Sequence, residues 1–259
     1  MHLLQPKRNN IYSASDGFDE EEIRKKLQCF PGGSIDLLKQ KNGVAVLTIN
    51  NPSRMNAFTG TMMVELKDRV TELKGWTDGK GLIVHGAANT FCSGSDLNAV
   101  RAISNPHDGM KMCMFMQNTL TNLMRLMVPQ SEIRFVHKHM GLVPGWGGAS
   151  RLIRIVGGRN ALILLSSARK VDPEYGLAIG LADAVITPSD QSGSLEAAEK
   201  WLSDYIKGPA TVVRAVKQVV LSGRELDLEE SLKAEKTVFG NVWGAPANLE
   251  ALAQGSKHK

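Results

Sequence analysis

Residues 43–50, GVAVLTIN, are apolar and β-branched almost throughout. Such a run suits a strand buried on both faces, as in a parallel sheet covered by helices. Residues 59–74 follow, with Met62, Met63, Leu66 and Val70 at helical spacing and Thr59 placed to cap the first turn. Residues 81–86, GLIVHG, make a second apolar strand. Strand, helix, strand in that order predicts a right-handed parallel crossover. The fold class that follows is α/β.

Residues 87–96 are turn-rich, and 110–127 read as a methionine-rich helix. Its centre, 110–118, either lines an adaptable pocket or packs as a loose core helix, and the methionines alone do not choose. Beyond it the pattern becomes helical: 149–156, 160–167, 173–179 with Pro173 in the first turn, 195–206, 209–221, 228–239 and 246–253. Residues 189–194 read as a surface loop. The expected organisation is a tail and short acidic helix (1–32), a core (33–188) and a C-terminal helical region (189–259), without internal repeats.

A chain of 259 residues with 42% hydrophobic content can bury a sizeable core. Net charge +5 suits an anionic partner without choosing among nucleic acid, membrane and a phosphorylated small molecule. Aromatics at 5% leave few platforms for stacking bases, and lysines and arginines do not cluster, so nucleic acid is not expected as a partner. No apolar run reaches the ~18 residues of a membrane span, so a membrane is not expected either. Cys29, Cys92 and Cys113 lack CxxC spacing and a histidine at ligand spacing, which argues against a metal site or a disulfide framework. A reducing compartment, the cytosol, fits best; a degenerate mitochondrial leader in the basic first ten residues is the lesser alternative. Cys92 is either a reactive thiol beside a glycine turn or a small buried side chain.

Three clusters carry candidate chemistry. The first, NNPSRMNAF at 50–58, lies just after the first strand, where open α/β sheets bind ligands. Arg54 could meet a phosphate there or simply be solvated. In the second, FCSGSDL at 91–97, Gly94 permits a tight turn that leaves the Ser95 N–H free for a ligand oxygen, with a helix start at Asp96 adding positive potential. Alone, this is equally a capped turn. The third runs from Phe135 to Gly148, FVHKHMGLVPGWGG. His137 and His139 alternate, as on a strand or extended loop, so that one faces a pocket and the other solvent.

Taken in order, NNPSRMNAF, HGAANTFCSGSDL and GLVPGWGGASRL resemble the crotonase (enoyl-CoA hydratase/isomerase) superfamily, whose pattern is N-x-P-x-x-x-N-A, then G-x-x-x-x-F-x-x-G-x-D-L, then G-L-x-P-x-x-G-G-x-x-R-L. The resemblance runs from about residue 33 to the C-terminus. It implies a spiral of ββα units with a C-terminal helical region and an acyl-CoA thioester as substrate, with no separate cofactor and no metal. It also implies a homo-oligomer, trimer or hexamer. Within the superfamily, MCMFMQNTLT, IRFVHKHMG, SGRELDLEE and VWGAPANLEA are closest to members that decarboxylate ethylmalonyl-CoA and, less readily, methylmalonyl-CoA, clearing side products of fatty-acid synthesis. His137 stands where hydratases carry the glutamate that activates water.

By the same resemblance, Ser95 supplies one oxyanion N–H and His137 handles the carboxylate or the proton. Arg54, Met55 and Ala57 hold CoA, with Gly94, Pro144 and Trp146 beside the substrate; Lys257 and Lys259 match basic tail residues that approach CoA phosphates. The second oxyanion donor belongs to a glycine-rich strand-and-helix segment between the Ser95 and His137 clusters. Here Leu126 runs directly into Met127, and that segment of about 25–30 residues, the size of a strand-plus-helix unit, is absent. Matching sequence on both sides is what a spliced-out segment leaves, so this form is expected to be impaired. Two other readings remain: a non-catalytic subunit that binds full-length partners, and a hydratase-like enzyme. RNA binding, known among crotonase relatives, is a further alternative.

Overall fold

A computed structural model of the chain describes residues 10–88, 90–103, 105–120, 126–187 and 193–253. The three-stranded sheet has the order β1-β2-β3, with β1 at Ser34–Lys39, β2 at Val44–Asn50 and β3 at Gly81–Gly86. β2 is buried along nearly all its length, as its unbroken apolar run requires. The Lys80 N–H donates to Gly43 O (2.8 Å) at one end of the β2–β3 pair and the Ala87 N–H to Ile49 O (2.8 Å) at the other, so the two strands run in the same direction. The intervening helix α2, Gly60–Lys74, begins where Thr59 Oγ1 accepts the Met62 N–H (3.3 Å). The expected crossover is therefore present.

Helix α1, Glu20–Gln28, is capped by Asp19, which accepts the Glu22 N–H (3.1 Å), and buries Ile23 and Leu27. A β-carbon on Gly60 would lie 1.9 Å from Leu27 O, so only glycine lets α2 start against the end of α1. Helix α3 is Leu97–Ala102, and α4 is Pro106–Thr119 with Asn105 as cap. The methionine helix thus stops at Thr119 and does not reach residue 127. Leu126–Met127 is instead a two-residue strand, β4, paired parallel with β5, Ala184–Val185. That pairing joins distant segments, and no local periodicity encodes it. Helix α5, Gly148–Ser167, is broken at Gly157 (φ 76°, ψ 161°), giving the two short helices expected there. Helix α6, Pro173–Ala178, starts with proline in its first turn, as predicted. Leu152, Val156, Ala161, Leu164, Val171 and Leu181 form the core beside α5.

The chain divides into two compact units. The first draws on Met1–Asp36, Leu47–Thr71 and Val84–Ala198 and holds all three candidate clusters; the second draws on Leu37–Val46, Glu72–Ile83 and Glu199–Lys259. Helix α7 is Ser194–Ser203. In the second unit, α8, Ala210–Glu225, packs on α9, Leu228–Val242, and α10, Pro246–Ala253, follows. The Arg214 side chain donates to Trp76 O (2.8 Å), and Lys39 lies over the Trp76 ring. No described helix is long and apolar enough to cross a membrane. The sequence-predicted loop at 189–194 falls largely outside the described residues, as do Asn89, Lys257 and Lys259.

Candidate active site

The loop after β2 makes one 3-10 turn, Pro52–Arg54, and then two left-handed residues, Met55 (φ 51°) and Asn56 (φ 56°). Asparagine tolerates this backbone because its short amide can bond nearby. Asn56 is fully buried and uses its whole amide. Its Oδ1 accepts the Asn51 N–H (2.8 Å), and its Nδ2 donates to Ala87 O (2.8 Å) and Thr90 O (2.5 Å). Asn51 in turn donates from Nδ2 to Ala57 O (2.8 Å). The loop after β2 is thereby fastened to the loop after β3.

Further along, Phe58 pairs with the second cluster. Its N–H donates to Gly94 O (2.8 Å), and the Asp96 N–H donates to Phe58 O (2.8 Å). This is a parallel bridge between Phe58 and Ser95. In that register the flanking residues supply both bonds, so the N–H and C=O of Ser95 point away from Phe58. The Ser95 N–H has no hydrogen-bond partner among the described residues. Ser93 adds two further ties, from its N–H to Met55 O (3.0 Å) and from its hydroxyl to Arg54 O (3.2 Å).

Asp96 caps α3 by accepting the Asn98 N–H (2.9 Å) and also holds the Arg54 guanidinium. Burial pushes the Asp96 carboxyl up, but the hydrogen bonds from Arg54, Asn98 and Ala99 together outweigh it and leave it below the usual carboxylate range. The Arg54 side chain remains 53% exposed, so part of its five-donor fork is open to solvent. The pair opens on a recess of about 360 Å³ that Asn51, Ser53, Thr59 and Asn98 also line. Burial raises the Cys92 thiol, which favours the inert reading over the reactive one.

The third cluster departs from expectation. Residues Val136–Met140 form a 3-10 helix, not a strand. His139 is exposed and His137 half-buried, with its Nδ1 buried and without a partner among the described residues. Burial lowers the pKa of His137 below its ordinary 6.5, so the ring is neutral at pH 7. Pro144 is half-buried, and Gly145 O accepts from Cys113 Sγ (2.6 Å) and Gln117 Nε2 (2.6 Å). Trp146 meets Phe58 edge to face, ring centroids 6.0 Å apart, while Arg151 fixes its carbonyl (2.8 Å). Hydrogen bonds therefore unite Arg54, Met55, Ala57 and Gly94, the bridge holds Ser95 opposite Phe58, and Phe58 brings Trp146 to them. No described bond ties His137 to that group. Sequence reasoning passed over Asn51, Asn56 and Phe58 as functional residues, although all three stand inside the quoted NNPSRMNAF motif.

The enoyl-CoA hydratase/isomerase family model matches residues 39–130 and 124–247. The chain belongs to this family. Among its curated relatives it is 58% identical, over 282 residues, to the ethylmalonyl-CoA decarboxylase of Gallus gallus, covering 98% of this chain and 95% of that one. Two solved structures share the fold. The enoyl-CoA hydratase of Thermoplasma volcanium matches with a TM-score of 0.73 at 20% identity, over 86% of this chain and 97% of that chain. A Thermobifida fusca protein solved in complex with CoA matches with a TM-score of 0.64 at 21% identity, over 90% and 98%. The Gallus gallus match extends over 282 positions, whereas 98% of 259 residues is about 254, so about 28 positions of the match have no counterpart here. The two pieces of the family match meet at 124–130, across the Leu126–Met127 junction.

Proposed function

We infer that this chain is an acyl-CoA carboxy-lyase that decarboxylates ethylmalonyl-CoA and, more slowly, methylmalonyl-CoA, and that one of its two oxyanion donors is lacking. The observation that carries the site is the bridge register at Phe58, which turns the Ser95 N–H away from Phe58 and leaves it without a hydrogen-bond partner among the described residues, on a braced loop. The name of the Gallus gallus relative supports the substrate, and the CoA complex of the Thermobifida fusca neighbour supports a CoA thioester as ligand.

In the reaction, the bond between C2 of ethylmalonyl-CoA and its free carboxylate breaks. The electron pair passes to C2 and onto the thioester oxygen as an enolate, and CO₂ leaves. A proton then adds to C2, giving butyryl-CoA, with no oxidant or reductant required. The Ser95 N–H donates to the thioester oxygen, where the charge develops. A neutral His137 offers the departing carboxylate a hydrogen bond without a full positive charge, which would hold the carboxylate in its ground state. Hydration requires a carboxylate base on water, and an imidazole at this position does not repel an anionic substrate as a glutamate would. The Ala57 N–H is taken by Arg54 O, and the Met55 and Ala57 carbonyls each already accept one bond. CoA therefore engages their second lone pairs, with the open side of the Arg54 fork toward a phosphate and Gly94, Pro144 and Trp146 beside the acyl group.

Incubation of the purified chain with ethylmalonyl-CoA, with butyryl-CoA followed by mass spectrometry, tests this. One donor instead of two predicts turnover about 10²–10³ below the full-length Gallus gallus relative. An equal rate would overturn the half-built site. Hydration of crotonyl-CoA without decarboxylation would overturn the reaction class.

Two further assignments belong to this proposal. Three unpaired thiols support the cytosol. Exposed apolar residues along α8 (Val212, Val216, Val220) and α9 (Leu228, Leu232) support a homo-oligomer.

A further inference from the structure

Two parallel strands joined by a helical crossover have no hairpin to hold their carboxyl-end loops side by side. Here main-chain bonds from Phe58, Ser93 and Asp96 tie the loops after β2 and β3, and among the described residues Asn56 supplies the one side-chain amide that spans them. Asn56 is fully buried, and every polar atom of its side chain is engaged. The bonds to Ala87 O and Thr90 O pin the turn entering the Ser95 loop. The Phe58 bridge pins the loop on either side of Ser95, at Gly94 and Asp96.

We propose that Asn56 is a positioning residue for the oxyanion site: its amide sets the direction of the Ser95 N–H without touching substrate. This rests on the reading of Ser95 as the donor. The residue choice is narrow. At φ 56° asparagine, aspartate and glycine are the residues that fit with least strain. Aspartate lacks the two donors that Ala87 O and Thr90 O need, and glycine lacks the whole group. A purely structural asparagine would affect folding stability but leave a bound thioester carbonyl unchanged wherever the protein still folds.

The carbonyl stretch of bound butyryl-CoA, ¹³C-labelled at C1 and read by isotope-edited infrared spectroscopy, separates the two roles. In the wild-type full chain the band should move to lower frequency on binding, because a hydrogen bond weakens the C=O bond. Asn56→Gly, which suffers no backbone strain, should still bind butyryl-CoA but lose most of that shift. Asn56→Asp, which keeps the Asn51 bond, should lose it too; where Asn56→Asp does not fold, Asn56→Gly carries the test. A folded Asn56→Gly with the full wild-type shift overturns the positioning role and leaves the site intact. Wild-type protein that binds butyryl-CoA without any shift instead overturns Ser95 as donor, and failure to bind at all overturns the CoA-thioester reading.

Discussion

The loops at 51–58 and 87–96 and the stretch at 126–143 both lie in one compact unit, yet they are built differently. In the first region two buried asparagines and an ion pair fasten the chain to itself, and the Phe58 bridge locks the result. In the second, β4 is two residues long, the His137 Nδ1 is buried without a partner among the described residues, and Leu142 and Val143 are exposed, Val143 at 80%. The difference follows from which partners the chain encodes. Each bond in the first region joins two segments that are both present. The second region abuts residues 124–130, where the two pieces of the family match overlap, and the Gallus gallus match has about 28 positions without a counterpart here. A segment without a strand to pair with satisfies its backbone locally, and a 3-10 turn is the shortest way to do so.

The comparison can be broken most sharply by restoring what is absent. Inserting the corresponding positions of the Gallus gallus relative between Leu126 and Met127 should raise ethylmalonyl-CoA turnover by about 10²–10³. It should also draw 136–140 out of its 3-10 turn. No gain in a folded insertion variant would mean that the junction does not limit the site.

The next largest effects concern stability. Phe58→Ala removes a buried ring together with its Trp146 contact and should cost about 3–5 kcal/mol in denaturant unfolding. His137→Ala should change stability by less than about 1 kcal/mol, or raise it, because a buried orphan nitrogen already carries a penalty. Equal losses from the two substitutions would erase the contrast between the regions.

The smallest effect is in pH dependence. The folded pKa of His137 lies below its unfolded value near 6.5, so the unfolded chain takes up the proton first as pH falls. Stability should therefore decline as pH drops below about 6.5, and His137→Gln should flatten that leg. The depressed Asp96 carboxyl acts lower down: its contribution holds above its ordinary 3.8 and is lost as pH falls through the folded value. Asp96→Asn should remove that acid limb and leave the His137 leg unchanged. Unfolding midpoints measured from pH 7 to pH 3 check both.

Much of the fold was legible because local pattern and tertiary need agree. The apolar run of β2, the helical spacing of α2 and the glycine that breaks α5 each state their structure within a few residues. The end of α4 at Thr119 was not legible, since methionines continue past it to Met127. Nor was the pairing of Leu126–Met127 with Ala184–Val185, or the 3-10 turn at His137. The motif around Asn56 marked the site, but the carbonyls that its amide reaches belong to the next strand's loop and cannot be read from spacing.

The amino-acid sequence alone determined the family, the β2–α2–β3 crossover and the identities of the residues at the loop tips, because periodicity, turn chemistry and motif spacing are local properties. The aim of the Ser95 N–H, the capture of Arg54 by Asp96 and the isolation of His137 were decided only in three dimensions. Each depends on a hydrogen bond made, or left unmade, between segments far apart in the chain.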